Sequence, residues 1–200
     1  MIVYVAAALV GYLLGSIPVA LLVARRHGVD LYATADGNPG AWNALEQLGA
    51  RRAWPAFAGD GLKGTLAALA GLALEGGWGA YAGLAAAMIG HALPLFARFR
   101  GGKSVMTFVG GAFVLAPLAA LACVALGALL TLLARSFARG ARVAVFAFPL
   151  TQLATAPVER VAATGALMAL IGALFALRRD ARRPGTSARA SSERGAGPTA

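Results

Sequence analysis

The chain has 200 residues, of which 59% are hydrophobic and only 13% are charged, and its mean hydropathy is +0.71. Soluble domains carry about 25% charged residues, so this composition excludes an ordinary soluble core and indicates a polytopic membrane protein. In so hydrophobic a chain, the net charge of +10 indicates basic loops that face anionic lipid rather than nucleic-acid binding. With one cysteine and two histidines, nothing in the sequence predicts a disulfide, a metal site or a cofactor.

Apolar runs predict an all-α fold with about seven membrane spans, and the first span covers residues 2–23. Its positive charges, Arg25-Arg26-His27, follow the apolar run, which favours a retained span over a signal peptide. Gly11 and Gly15 are either spaced for close helix approach or merely tolerated, and Pro18 is expected to kink the helix. The other spans are expected at residues 53–74, 79–97, 104–116, 118–134, 143–156 and 161–177.

The longest polar stretch between spans is residues 28–50, which is rich in glycines, amides and carboxylates. Gly37 and Gly40 favour turns, and the amides of Asn38 and Asn43 are suited to holding polyol hydroxyls. We therefore expect a folded loop that faces a ligand rather than a plain connection.

Two ionisable residues, Asp60 and Lys63, interrupt the second span. They stand three positions apart, so they share one face of a helix. Ionisable groups within a span are costly and usually face protein or water. Two interpretations remain open, a mutual ion pair that fixes helix packing and direct substrate contact. His91, near the end of the third span, is expected to be a hydrogen-bonded packing residue.

The stretch Arg98-Phe-Arg-Gly-Gly-Lys-Ser-Val-Met-Thr107 places cations, glycines and hydroxyls between two spans. Adjacent glycines let backbone N–H groups turn toward a ligand, and a helix that starts at Ser104 would direct its positive end there. The spacing is not that of a P-loop. The sequence predicts an anion site built from Gly101, Gly102, Lys103, Ser104 and Thr107.

The distribution of positive charge predicts the topology. With seven spans and the N-terminus outside, every Lys and Arg except Arg160 and Lys63 falls in a cytoplasmic loop or the cytoplasmic tail. Residues 1–178 are then one transmembrane domain, and residues 179–200 form a basic tail that is expected to be disordered.

Four motifs occur in order along the chain. They are Gly15-Ser-Ile-Pro18, Gly37-Asn-Pro-Gly-Ala-Trp-Asn43, Asp60-Gly-Leu-Lys-Gly64 and Gly90-His-Ala-Leu-Pro-Leu-Phe-Ala-Arg-Phe-Arg-Gly-Gly-Lys103. Together they resemble the PlsY family of bacterial acyl-phosphate:glycerol-3-phosphate acyltransferases, most strongly over residues 8–115. The resemblance implies a seven-helix inner-membrane enzyme of phospholipid synthesis with a cytoplasmic active site. It would transfer a fatty acyl group from acyl phosphate to glycerol 3-phosphate, giving lysophosphatidic acid and phosphate.

The resemblance also implies roles for the matched residues. An acyl phosphate is already activated, so the enzyme needs mainly to orient it and to stabilise negative charge. The implied partners are acyl phosphate, glycerol 3-phosphate and membrane lipids. The implied catalytic residues are Lys103, Asn38 and Asn43, and the implied substrate-binding or site-supporting residues are Gly40, Gly101, Gly102, Thr107, Asp60, Lys63 and His91. Ser104 is expected to bind substrate from its place in the predicted anion site.

The chain departs from the family pattern at several positions. Asp36 stands where the family usually has Ser, and Glu46 where it usually has Arg, so both are expected to make the pocket more negative. A serine expected near residues 138–141 is missing, and the closing His and Asn motif is replaced by Leu177-Arg-Arg-Asp-Ala-Arg-Arg183. Two alternatives follow: a divergent member with a different acceptor or without catalysis, and a transporter of a phospholipid or phosphate ligand.

Overall fold

A computed structural model describes residues 1–180, and all regular secondary structure in this range is helical, which confirms the predicted all-α class. The predicted tail lies outside the described residues from position 181 onward. The eight α-helices are α1 (Ile2–Gly15), α2 (Val19–Arg26), α3 (Ala41–Leu48), α4 (Ala50–Ala92), α5 (Val105–Leu115), α6 (Pro117–Ala134), α7 (Phe137–Gln152) and α8 (Val158–Asp180), and a short 3₁₀ turn covers Leu95–Ala97.

Four helical segments of the described chain are long and apolar enough to cross a membrane. The longest of them, 48 residues, contains a kink at Glu75 and Gly76, where Gly76 takes a φ of 67° that favours glycine. We call residues 50–74 and 77–92 the first and second arms of α4. Together with the shorter α5 and α7, the segments make about seven passes, so the chain is a multi-pass membrane protein as predicted. The four long segments are Ile2–Arg26, Ala50–Ala97, Pro117–Ala134 and Val158–Leu177.

Pro18 breaks the first span into α1 and α2 rather than merely kinking it. Proline has no N–H, so it cannot continue the backbone hydrogen bonding of the helix. The carbonyl of Ile17, freed at this break, accepts hydrogen bonds from the Lys63 ammonium at 3.0 Å and from the Val19 N–H at 3.0 Å. A buried lysine of the second span therefore stabilises the interruption of the first.

Glycines set the distance between α1 and the second arm of α4. A Cβ added at Gly11 would overlap the backbone carbonyl of Gly83, and one at Gly15 would overlap that of Ala87. Close backbone approach through small residues is a common way to pack membrane helices. The close-approach interpretation of Gly11 and Gly15 is therefore confirmed.

The first arm of α4 packs against α5 in the same way, and α5 also contributes to the main apolar core. Gly64 lies against the carbonyl of Thr107, and Gly110 lies against the carbonyl of Gly61. The buried ring of Phe108 meets Phe148 of α7 edge to face, with ring centroids 5.7 Å apart. This core joins α4, α5, α6, α7 and α8.

Two predicted loops contain helix. Residues 28–50 include α3, and the basic stretch 135–142 is largely the start of α7, which begins at Phe137 rather than at the predicted residue 143. The arginines of this stretch, Arg139 and Arg142, are exposed on the first turns of α7, so their charge does not oppose helix formation there.

The connectivity brings the polar segments to one end of the bundle. This end holds the end of α2 and the start of α5. It also holds both termini of α4, because the kink at Glu75 and Gly76 turns the second arm back toward the start of the first. Residues 27–40 and 93–104, the two segments predicted to bind ligand, therefore meet at this end, and we call them the asparagine loop and the lysine loop.

Candidate functional site

The asparagine loop and the lysine loop contact each other directly. The hydroxyl of Tyr32 donates a hydrogen bond to the carbonyl of Arg100 at 2.8 Å, and the Arg100 guanidinium lies 4.3 Å from the centre of the Tyr32 ring. The Lys103 ammonium lies 2.9 Å from Oδ2 of Asp36. The two predicted ligand-binding segments thus form one structural unit.

Asn43, on α3, holds the asparagine loop in its folded shape through its side chain. Its side chain is buried, and its amide nitrogen donates to the carbonyls of Leu31, Thr34 and Asn38 at 3.0, 3.2 and 3.1 Å. The Thr34 hydroxyl donates to its Oδ1 at 3.3 Å. Its predicted catalytic role stays a prediction, and the contacts shown make it the residue that fixes the shape of the loop.

Asn38 and Gly40 complete this turn. Asn38 is buried, and its backbone N–H donates to Oδ1 of Asp36 at 3.1 Å. A Cβ at Gly40 would come within 2.9 Å of the Asn38 amide nitrogen. Gly40 therefore leaves room for the Asn38 side chain, and direct substrate contact by either residue stays a prediction.

The two glycines of the lysine loop do not use their N–H groups as predicted. The N–H of Gly101 donates to the carbonyl of Ala92 at 3.2 Å, and that of Gly102 donates to the carbonyl of His91 at 3.0 Å. A Cβ at Gly101 would overlap the His91 carbonyl, and one at Gly102 would overlap the His91 ring. In this conformation the glycines dock the loop onto the end of α4 instead of presenting N–H groups to a phosphate.

The two predicted hydroxyl ligands are also buried. Ser104 precedes α5 with a φ of 62°, and its hydroxyl donates to the carbonyl of Met88 at 2.6 Å. The Thr107 hydroxyl is fully buried and has no hydrogen-bond partner among the described residues. Ser104 therefore fixes the start of α5 against α4, and substrate contact by these hydroxyls stays a prediction.

Asp60, Lys63 and His91 form a buried polar cluster beneath the lysine loop. The Lys63 ammonium lies 2.8 Å and the His91 Nδ1 lies 3.6 Å from Oδ1 of Asp60. All three are almost fully buried. The structure shows the ion pair of the first interpretation, and direct substrate contact by these residues stays a prediction. The cluster lines a small cavity of about 10 Å³, which has room for about one water molecule.

Lys103 differs from these residues because its side chain remains 18% exposed. Besides its contact with Asp36, its ammonium lies 4.3 Å from the centre of the Phe175 ring on α8. Arg98 and Arg100 are exposed on the same loop. The arrangement presents a partly open cation, on a loop that carries two exposed arginines, that can hold an anion.

Sequence reasoning missed two contributors to this site. Tyr32 anchors the two loops to each other, and an aromatic residue within a polar, glycine-rich loop was the available signal. Phe175 contacts Lys103 from the last helix, and nothing in the apolar sequence of α8 distinguishes this ring from lipid-facing neighbours.

Asp36 and Glu46, both expected to make the pocket more negative, have different positions. Asp36 contacts Lys103, as described above. Glu46 accepts a hydrogen bond from the indole nitrogen of Trp42 at 2.8 Å, and that indole stacks on Phe137 with ring centroids 5.8 Å apart. The structure thus places the Asp36 carboxylate on Lys103, the predicted anion-binding residue, and holds the Glu46 carboxylate along α3 by a hydrogen bond within that helix.

Comparison with known proteins agrees with this architecture. A sequence model of the glycerol-3-phosphate acyltransferase family matches residues 5–183. A glycerol-3-phosphate acyltransferase of Thermus thermophilus is 39% identical over 165 residues, covering 82% of each chain. Those of Rubrobacter xylanophilus and Symbiobacterium thermophilum are 35% and 39% identical, over 55% and 63% of their own lengths. The chain therefore spans between half and two thirds of these last two relatives.

Two solved structures have the same fold. Both are crystal structures of PlsY, described as an integral membrane glycerol 3-phosphate acyltransferase. The glycerol 3-phosphate form superposes with a TM-score of 0.78 at 29% identity, covering 88% of this chain and 90% of the other. The lysophosphatidic acid form gives 0.74 at 30% identity, covering 86% and 87%.

Proposed function

Because the chain belongs to the glycerol-3-phosphate acyltransferase family, we propose that it transfers a fatty acyl group from acyl phosphate to glycerol 3-phosphate. The products are lysophosphatidic acid and inorganic phosphate, and the protein serves phospholipid synthesis. The observation that carries this proposal is the family match over residues 5–183, which includes both loops of the candidate site.

The chemistry requires little beyond orientation and charge stabilisation. The 1-hydroxyl oxygen of glycerol 3-phosphate bonds to the acyl carbonyl carbon, the bond from that carbon to the phosphate oxygen breaks, and the hydroxyl proton ends on the released phosphate. Negative charge grows on the carbonyl oxygen and on the departing phosphate. A nearby ammonium stabilises both, and the partial exposure of the Lys103 ammonium supports assigning this role to it.

The buried residues position this cation. Asn43 fixes the asparagine loop, which contacts the lysine loop through Tyr32, and Gly101 and Gly102 dock the lysine loop on α4. The Asp60–Lys63 ion pair holds the first span, through Ile17, against the second. Misplacement of a catalytic group by about 1 Å can cost a hundredfold in rate, so these contacts matter although they lie beneath the site.

We further propose that the protein resides in the bacterial inner membrane with both loops in the cytoplasm. The support is the clustering of arginines at the loop-bearing end of the bundle, since positively charged loops remain cytoplasmic. The water-soluble acceptor then approaches from the cytoplasm, and the acyl chain of the donor lies in the membrane.

The test is purified full-length protein in lipid vesicles, supplied with a long-chain acyl phosphate and labelled glycerol 3-phosphate. We expect labelled lysophosphatidic acid and an equal amount of free phosphate. Lys103→Met should lower kcat/KM by about a hundredfold, the usual cost of removing one group that stabilises developing negative charge.

Arg51→Met is the matched control. Arg51 is an exposed cation at the start of α4, so its replacement removes one charge without touching either loop, and activity should remain within about twofold of wild type. Phosphate release without lysophosphatidic acid would indicate a different acceptor. Failure to consume acyl phosphate at all would contradict the proposed function.

A further inference from the structure

The Asp36–Lys103 ion pair occupies the position where the proposed function needs an anion. The Asp36 carboxylate lies 2.9 Å from the Lys103 ammonium, and both side chains remain in contact with solvent, at 36% and 18% exposure. A carboxylate at this distance makes a charge-assisted hydrogen bond of the kind that a phosphate oxygen would make. An incoming phosphate must displace this carboxylate or share the ammonium with it.

Asp36 is held in place rather than swinging freely. Its other oxygen, Oδ1, accepts the backbone N–H of Asn38 at 3.1 Å, which is an Asx turn. Its two neighbours, Ala35 and Gly37, have φ values of 45° and 62°, in the left-handed region. The folded loop therefore holds the Asp36 carboxylate beside Lys103. Unlike a dissolved anion, this carboxylate is present at the ammonium whatever the composition of the buffer.

Serine at this position, as in the family pattern, would add a hydroxyl without a negative charge. The aspartate adds a negative charge that repels a phosphate dianion and offsets the attraction of the Lys103 ammonium for it. Glu46, the other acidic departure, is hydrogen-bonded to Trp42 and has no contact with Lys103 among the contacts described. The effect therefore belongs to Asp36.

We infer that Asp36 is a specificity-determining residue that competes with phosphate-bearing substrates for Lys103 and so lowers their affinity. It does so without taking part in acyl transfer. This inference rests on the proposed function for its substrate, glycerol 3-phosphate, whereas the competition for an anion can be measured without turnover.

The test compares Asp36→Asn with wild type as full-length protein in lipid nanodiscs, using inorganic phosphate as the binding probe in a ³¹P NMR titration. Asparagine keeps the oxygen that accepts the Asn38 N–H and removes the charge. We expect about tenfold tighter phosphate binding, the scale set by one unit charge a few ångströms away at a partly exposed site. Adding Lys103→Met to Asp36→Asn should abolish this gain.

Kinetics provide the second readout. In Asp36→Asn, KM for glycerol 3-phosphate should fall by the same factor of about ten, with kcat within about twofold of wild type. Glu46→Gln is the matched control and should change neither phosphate affinity nor KM. Asp36→Ser is a second variant with the same expectation, in case the asparagine protein does not fold.

Unchanged phosphate affinity in folded Asp36→Asn or Asp36→Ser would overturn the inference, whether or not lysophosphatidic acid is made. A large fall in kcat would also overturn it, because Asp36 would then act in the reaction itself. If phosphate affinity rises in the variants but neither they nor the wild type make lysophosphatidic acid, the competition between Asp36 and phosphate is supported and the proposed function is contradicted.

Discussion

At the scale of single residues, the site depends on buried polar groups whose partners are backbone atoms. Asn43 is the central example, because one amide nitrogen serves three carbonyls of the asparagine loop. A buried carbonyl that loses its hydrogen-bond donor destabilises the fold, because it has been removed from water and has no new partner. The conformation of the loop, and with it the position of Asp36, therefore depends on this one side chain.

We predict that Asn43→Ala loosens the asparagine loop. Removing the donor costs about 1–3 kcal/mol in local stability, so amide hydrogen exchange over residues 31–40 should accelerate by about ten- to hundredfold. Mass spectrometry of deuterium uptake in nanodiscs measures this, together with a matching loss of acyltransferase activity.

Thr34→Val is the control for this experiment, since the hydroxyl it removes makes two long contacts of 3.3 Å, to Oδ1 of Asn43 and to the carbonyl of Asp30, and should accelerate exchange much less. If Asn43→Ala loses activity while exchange stays at the wild-type rate, the amide contacts substrate directly. That outcome would favour the catalytic role predicted from the sequence over the loop-holding role.

The sequence identified the residues that meet at this site but not the contacts of most of them. Gly101 and Gly102 were expected from their residue type to present N–H groups, yet their partners are decided by the packing of the lysine loop on α4. Asp60 and Lys63 were easier to interpret, because their three-residue spacing within one helix already brings them together. Contacts within one helix could therefore be predicted from residue spacing, whereas contacts between segments distant in sequence could not.

At the scale of helices, apolar run length predicted the spans well because the thickness of a bilayer fixes it. The predicted start of the span at residue 143 was wrong, because exposed arginines at residues 135–142 resemble loop residues although most of this stretch belongs to α7. Pro18 was interpretable because its missing N–H has a local consequence. The glycine contacts between helices were only partly predictable, since their spacing does not identify the opposing helix.

We predict that alanine at Gly64 or Gly110 destabilises the contact between the first arm of α4 and α5. Each added Cβ would overlap a backbone carbonyl of the facing helix, and backbone atoms move aside only if the helices separate. The expected cost is about 1–3 kcal/mol, measurable as a lower melting temperature in detergent by fluorescence-detected gel filtration.

The same substitution at Gly165 or Gly172 of α8 is the control. A Cβ at either position would meet nothing within 4 Å, and alanine in a helix is favoured over glycine by about 0.5–1 kcal/mol. These variants should melt at or above the wild-type temperature. A Gly64→Ala protein as stable as Gly165→Ala would show that close backbone contact is not what joins α4 to α5.

At the scale of the whole molecule, connectivity and charge together predict one orientation. The end of the bundle that holds both loops also holds Arg25, Arg51, Arg98 and other exposed cations, whereas the opposite end has Arg160 in the first turn of α8. Translocating so many cations across the membrane is strongly disfavoured. The charge that predicts this orientation lies at the same end of the bundle as Lys103, so it also favours anions there.

We predict that the loop-bearing end faces the cytoplasm, and paired cysteines test this directly. Cys123 is the sole cysteine of the chain and is buried, so Cys123→Ala gives a clean background. Ala50 and Ala154 are both exposed and lie at opposite ends of the bundle. In intact bacterial cells, a membrane-impermeant maleimide should label Ala154→Cys and leave Ala50→Cys unlabelled, and permeabilised cells should show both labelled. The reverse pattern would place Lys103 outside the cell, away from cytoplasmic glycerol 3-phosphate, and would contradict the orientation and the proposed function together.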